Sequence, residues 1–255
     1  MPDLHSHLTP AVTFVGAGPG AAAHLTLGAF RALQEAEVVI HDRLVGDEVL
    51  ALIPAAALRI DMGKEGFGPS AAQQAINAAL VAHAMAGRRV VRLKGGDCGI
   101  FGRLDEEMEA LEAAGLPFRI LPGVTSASAA AAAIGQSLTR RGRNAALRIV
   151  TGHDMAGFAE QDWRGLAREG EVAAIYMGKK SARFIQGRLM MHGANPATPV
   201  ALVENASRPD QRILAATLAT LPEAARDLSG PAVILYGLAP RAAALAATEL
   251  NEARA

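Results

Sequence analysis

The chain has 255 residues, and its 25 Lys plus Arg balance 25 Asp plus Glu, so no global charge points to nucleic acid or to a membrane surface. A single cysteine, Cys98, excludes an internal disulfide framework and a thiolate zinc site, and nothing else calls for a metal. No run approaches the roughly 18 apolar residues of a membrane span, and Met1 to Pro10 lack a basic segment followed by an apolar core, so a soluble, cytoplasmic protein with a frayed amino terminus is expected.

From Val12 to Val150, β-type runs alternate with helical ones: Val12 to Gly16, Leu27 to Glu35, Glu37 to His41, Leu58 to Met62, Ala71 to Ala86, Arg89 to Leu93, Asp105 to Ala114 and Pro117 to Leu121. That alternation predicts an α/β fold with a parallel sheet. Thr26 and Thr125 are placed to accept from free helical amides, Ser70 with Gln73 has capping-box spacing, and Gly87 and Gly115 sit where helices should stop. The polar, basic stretch Gly135 to Asn144 marks a domain boundary, giving domains 11–138 and 139–242 between a flexible 1–10 and a tail 243–255. In the second domain, runs at Val172 to Met177, Pro199 to Val203, Arg212 to Thr217 and Ala232 to Leu238 surround helices near Ser181 to His192 and Pro222 to Leu228. The pair Pro199 to Val203 and Arg212 to Thr217 reads as an antiparallel hairpin, hence a mixed sheet.

The most informative stretch runs from Val90 to Arg103, where a β-type run breaks into Gly95-Gly96-Asp97 and then enters a helix opening with Asp105, Glu106 and Glu107. Paired glycines at the carboxyl end of a parallel strand let backbone approach a bound molecule closely, which marks a ligand cradle. The first strand ends in Gly16-Ala17-Gly18-Pro19-Gly20, and Gly16, Gly18 and Ala21 also meet the loose dinucleotide fingerprint, with Asp42 at the next strand's end as a ribose-binding acid would be. Against a phosphate cradle, Pro19 removes one amide from that loop.

Taken together, Gly16 to Gly20, Asp42-Arg43-Leu44-Val45, Met62-Gly63-Lys64, Gly95 to Arg103, Pro122 to Ser126, Leu138 to Gly142, Val150 to His153, Tyr176-Met177-Gly178 and Val203-Glu204-Asn205 closely resemble the tetrapyrrole methylase family, and within it the uroporphyrinogen III C-methylases. The resemblance covers about Val12 to Leu238. It implies two α/β domains with S-adenosylmethionine in the cleft between them, a homodimer, and methylation of uroporphyrinogen III at two ring carbons to give precorrin-2 and S-adenosylhomocysteine. Positions matching the family's cofactor contacts are Pro19, Gly95, Gly96, Asp97, Ile100, Thr125, Ser126, Met177 and Ala206. The donor is a sulfonium cation, which suits carbonyls, a carboxylate and soft apolar neighbours better than an anion nest.

For the eight carboxylates of the acceptor, Arg43, Arg103, Arg140 and Arg141 offer bidentate partners, with His153 beside them in the aligned segments. Rearrangement of the pyrrole system after methyl addition requires a base. The resemblance nominates Asp42 as proton acceptor and Lys64 as donor, and Glu106 is a second candidate base. Plainer readings stand beside these: Asp42 capping a turn, Lys64 in a solvated pair with Glu65, the three acidic residues favoured by a helix dipole, Met177 as core filler and His153 as a loop histidine. The chain departs from the family where Cys98-Gly99 replaces Pro-Phe, where Arg140 replaces His, and where Ala21 replaces an acidic residue. A later corrin-ring methylase, a non-catalytic tetrapyrrole or S-adenosylmethionine binder, and a nicotinamide-dependent oxidoreductase are the competing readings.

Overall fold

The computed structural model describes residues 10–63, 69–154 and 157–243, and the chain divides into two units after Thr125. In the first unit strands and helices alternate: β1 (Val12–Gly16), α1 (Leu27–Gln34), β2 (Val38–His41), α2 (Asp47–Leu50), β3 (Leu58–Asp61), α3 (Pro69–Met85), β4 (Val90–Lys94), α4 (Leu104–Ala113) and β5 (Phe118–Leu121). The strands pair in the order β3-β2-β4-β1-β5, all parallel, as the alternation predicts.

Both faces of this sheet are covered, so β1, β2 and β4 are buried along their whole length. Val15, Leu33, Val39, Val91 and Leu93 pack on one face, and Val12, Phe14, Ile40, Leu80, Val90 and Leu111 on the other. Period-two alternation along β4 therefore turns Arg92 and Lys94 toward the face shared with α3 and α4, where both are buried. Thr26 caps α1 by accepting from the Ala29 amide at 3.1 Å, and left-handed Gly87 and Gly115 follow α3 and α4. The expected capping box pairs Gln73 with Ser70, whose side chain lies outside the described residues. The Gln73 amide donates to Asn77 Oδ1 at 3.0 Å and to Glu107 Oε1 at 3.3 Å, because the buried carboxylate of Glu107 needs donors.

The second unit contains α5 (Ser126–Ala133), β6 (Arg148–Thr151), β7 (His153–Asp154), β8 (Gly157–Phe158), α6 (Trp163–Leu166), β9 (Ala173–Tyr176), α7 (Ala182–Met191), β10 (Pro199–Glu204), β11 (Arg212–Thr217), α8 (Leu221–Arg226) and β12 (Ala232–Tyr236). Its main sheet runs β11-β10-β12-β9-β6, with β6 parallel to β9 and the other pairs antiparallel. The hairpin is β10–β11, in register from Pro199 opposite Thr217 to Glu204 opposite Arg212. Trp163, Ile175, Ile185, Leu202, Ile234 and Tyr236 form the core. Composition places the boundary at 138/139, whereas the chain divides at 125/126. The reason is that α5 packs on β12, with its Ala127 amide donating to the Tyr176 hydroxyl at 2.9 Å. No helix among the described residues is long and apolar enough to cross a membrane.

At the end of β10, Glu204 is only 1% exposed. Its Oε1 accepts from the Ser229 amide at 2.5 Å and from the Gly230 amide, and its Oε2 from Arg212 at 3.1 Å. Burial alone raises this carboxyl's pKa, but the two amides and Arg212 outweigh it, so the net shift is downward. A depressed folded value stabilises the fold above the unfolded pKa of about 4.3 and loses that contribution as pH falls through the folded value. Glu204→Gln should accordingly melt lower at neutral pH and lose less on acidification to pH ~3 than the parent, as thermal melts across pH would record.

Candidate functional site

The loops after β1, β2, β4 and β5 interlock at the carboxyl edge of the first sheet. The Ala17 amide donates to the Lys94 carbonyl at 2.8 Å, and Gly18 and Gly96 exchange amide-to-carbonyl bonds of 3.1 and 2.7 Å. A Cβ on Gly16 would lie 2.5 Å from the Gly123 nitrogen, and one on Gly95 would lie 2.7 Å from Leu44 Cβ. Gly16 makes room for the backbone of Gly123, and Gly95, expected to make room for a ligand, makes room for Leu44. Gly123→Ala, whose methyl would meet the Gly96 carbonyl, is expected to cost about 2 kcal/mol or more in urea denaturation.

Asp97 staples this edge from a half-buried position. Its Oδ1 accepts from the Gly99 amide at 2.8 Å and its Oδ2 from the Gly123 amide at 2.9 Å. A carboxylate offers about four lone-pair sites, so two backbone donors leave acceptor capacity for a cation. Six amides nearby are committed: those of Ala17, Gly18, Gly96, Gly99, Ile100 and Gly123 all donate within the unit, and Pro19 has none. Spare acceptor capacity on the Asp97 carboxylate suits a positively charged group better than a phosphate. Pro19 is buried, and Ile100 is half-buried in a turn whose amide reaches the Asp97 carbonyl at 3.2 Å.

Beneath this edge lies a buried charge cluster that composition and motif reading did not single out. Glu107 is fully buried (0%), with Arg92 and Lys94 2% and 3% exposed. Glu107 Oε1 accepts from Lys94 Nζ at 2.7 Å and Arg92 Nη2 at 3.1 Å, and Arg92 Nε is 3.2 Å from both carboxylate oxygens. Arg92 Nη1 also donates to the carbonyls of Ile40 and Leu93. Burial and the neighbouring Arg92 push Lys94 below the ordinary lysine range, against the pull of Glu107. All three acids stand in the first turn of α4, as the helix-dipole reading has it, but the helix turns Glu107 alone inward. The available signal was Arg92 and Lys94 on one face of a central strand, with an acid in the first turn of the next helix.

Asp42 follows β2, with Oδ1 accepting from the Leu44 amide at 2.9 Å and Oδ2 lying 3.9 Å from Arg92 Nη2. It caps a turn, as the plainer reading held, and also borders the buried cluster. Glu106 is gripped by Arg103 through bonds of 2.6 and 2.7 Å. That guanidinium holds its carboxyl below the usual range, so Glu106 is a poor base at neutral pH. The same pairing commits part of the Arg103 fork. Arg43 is exposed after β2, and Lys64 lies outside the described residues.

In the second unit, Ser126 begins α5, Arg140 and Arg141 lie exposed in a turn closed by the Arg140 amide on Asn144 Oδ1, and His153 is exposed in β7. Thr125 is the half-buried last residue of the first unit. Met177 is 51% exposed, which rules out the core-filler reading, and Ala206 is buried. Among the described residues, left-handed backbone at non-glycine positions occurs at Phe101, Arg103, Met177, Asn205 and Ser207. All five follow β4, β9 or β10, and strain of this kind persists where surrounding structure over-determines it, often at ligand sites.

A parallel unit followed by a mixed-sheet unit, with left-handed non-glycine turns at the carboxyl ends of β4, β9 and β10, defines a two-unit α/β protein. The chain belongs to the Tetrapyrrole (Corrin/Porphyrin) Methylases, whose family model matches residues 11–222. It is 46% identical over 226 residues to siroheme synthase 3 of Aeromonas hydrophila, covering 89% of this chain and 48% of that protein. The chain spans about half the length of the siroheme synthases it matches. Among solved structures it resembles uroporphyrin-III C-methyl transferase from Thermus thermophilus complexed with S-adenyl homocysteine, with a TM-score of 0.76, 38% identity, and 89% and 96% of the two chains covered. A cobalt precorrin-4 methyltransferase matches at TM-score 0.80 and 25% identity, covering 91% and 98%.

Proposed function

We propose that this chain transfers methyl groups from S-adenosylmethionine to two ring carbons of uroporphyrinogen III, giving precorrin-2. The observation that carries the reading is the edge around Asp97, where six amides are committed within the unit and the half-buried carboxylate keeps acceptor capacity beyond its two backbone bonds. When bound, S-adenosylmethionine supplies the methyl group on a sulfonium cation. Asp97 and the carbonyls of its loop hold the donor's positive groups, and Pro19 and Ile100 line its apolar surface. The family resemblance adds Gly95, Gly96, Thr125, Ser126, Met177 and Ala206 as further donor contacts. Transfer to carbon cancels charge as the bond forms, so alignment and exclusion of water contribute much of the acceleration.

Arg43, Arg103, Arg140, Arg141 and His153 are assigned to the acceptor's carboxylates. Asp42 is the proton acceptor and Lys64 the donor by resemblance, and the Arg103 pairing argues against Glu106 as base. A homodimer working in the cytoplasm completes the reading. The second reading, a later corrin-ring methylase, is favoured by the TM-score of 0.80 to the precorrin-4 enzyme; the higher identity to the uroporphyrin-III enzyme, 38% against 25%, weighs for the earlier step.

Calorimetric titration of the full chain with S-adenosylhomocysteine, with NADH as the control, tests the donor assignment. Binding of the first alone is expected, and binding of NADH alone would overturn it. Arg103→Ala should leave that affinity within about twofold and change stability by less than ~1 kcal/mol, since the Arg103–Glu106 pair is exposed. Its cost should fall on turnover of the tetrapyrrole.

A further inference from the structure

We propose that the buried Lys94–Glu107–Arg92 cluster is the positioning device of the donor loop, clamping the base of the segment from Gly95 to Arg103 so that its strained backbone keeps the shape the donor requires. The inference rests on the reading of that loop as the donor's.

The clamp sits where the loop begins and ends. Lys94 is the last residue of β4, immediately before Gly95, and Glu107 lies in the first turn of α4, immediately after Arg103. Their 2.7 Å contact closes the segment at its root. The lysine stem also supports the loop from below, since a Cβ on Gly102 would come 3.0 Å from Lys94 Cε and 2.5 Å from the Cys98 carbonyl. Within the segment Gly96, Phe101 and Arg103 are all left-handed, with φ of 72°, 51° and 53°. Side chains with a Cβ hold that conformation when neighbouring structure over-determines it.

Stability alone does not account for the cluster. A buried ion pair seldom outperforms well-packed apolar side chains, and here two buried cations share one fully buried carboxylate. Nor does the start of α4 need Glu107 for its dipole, because Asp105 and Glu106 already stand in the first turn. What the cluster adds is connection. Gln73 of α3 joins it at 3.3 Å, Arg92 ties it to the Ile40 carbonyl of β2, and Asp42 stands 3.9 Å from Arg92. Loop, helix start and the turn after β2 are thereby referred to one carboxylate.

Lys94→Met in the full chain isolates the effect, because it keeps the stem under Gly102, removes only the ammonium, and leaves Arg92 balanced against Glu107. The S-adenosylhomocysteine dissociation constant should rise about tenfold through lost preorganisation. Hydrogen exchange should quicken in residues 95–103 while the strand amides of both sheets keep their protection. Lys94→Gln, which retains a neutral donor toward Glu107, should recover part of the affinity, and it supplies the same comparison should the methionine variant not fold. Parental affinity with unchanged loop exchange in either folded variant overturns the proposal, as does affinity loss with exchange raised evenly across both units. If the parent itself fails to bind S-adenosylhomocysteine, the donor reading falls instead, and loop exchange alone then decides whether the clamp orders the segment.

Discussion

Asp97→Ala is expected to weaken S-adenosylhomocysteine binding by about ten- to a hundredfold, the roughly 1.5 to 3 kcal/mol of a charge-assisted hydrogen bond. That figure covers the direct contact, and a second loss adds to it. The donor's cation loses its carboxylate, and the amides of Gly99 and Gly123 lose the acceptors that hold their loops together. Asp97→Asn separates the two contributions, since its amide oxygen still accepts one backbone bond while its NH2 group faces the other N–H donor to donor. Calorimetry on both variants beside Arg103→Ala reads the division of labour directly. Equal losses of donor affinity in the Asp97 and Arg103 variants would contradict it.

Glu107→Ala is expected to cost about 3 to 5 kcal/mol of folding stability, because it strands Arg92 and Lys94 in the interior without their anion. The neighbouring Glu106→Ala makes the control. Its carboxylate also pairs with an arginine at hydrogen-bond distance, yet that pair is exposed, and its loss should cost less than ~1 kcal/mol. Urea denaturation of the two variants compares them under one condition. A Glu107 variant as stable as the Glu106 variant would mean that the cluster relaxes into solvent and carries no clamp.

The architecture was legible because it rests on periodicity. Val38 to His41, Val90 to Lys94 and the β10–β11 hairpin announce themselves through β-type runs and turn residues, and Thr26, Gly87 and Gly115 punctuate the helices as their chemistry requires. The site was legible in part. The Gly95-Gly96-Asp97 loop could be recognised as special from spacing, but spacing does not say which way a glycine's missing side chain would point. Gly95 proves to face Leu44. The split of Glu106 from Glu107 was likewise hidden, since adjacent helical acids look alike until the helix is docked and one of them turns inward. The domain boundary was misplaced for a related reason: composition changes at Gly135 to Asn144, whereas α5 belongs where its alanine face packs.

The most direct test of the account is an anaerobic incubation of the purified chain with uroporphyrinogen III and S-adenosylmethionine carrying a labelled methyl group, followed by mass analysis of the extracted tetrapyrrole. The extracted tetrapyrrole is expected to be heavier by two labelled methyl groups. No transfer to uroporphyrinogen III by protein that binds S-adenosylhomocysteine, or transfer to a later corrin intermediate alone, would contradict the proposed function.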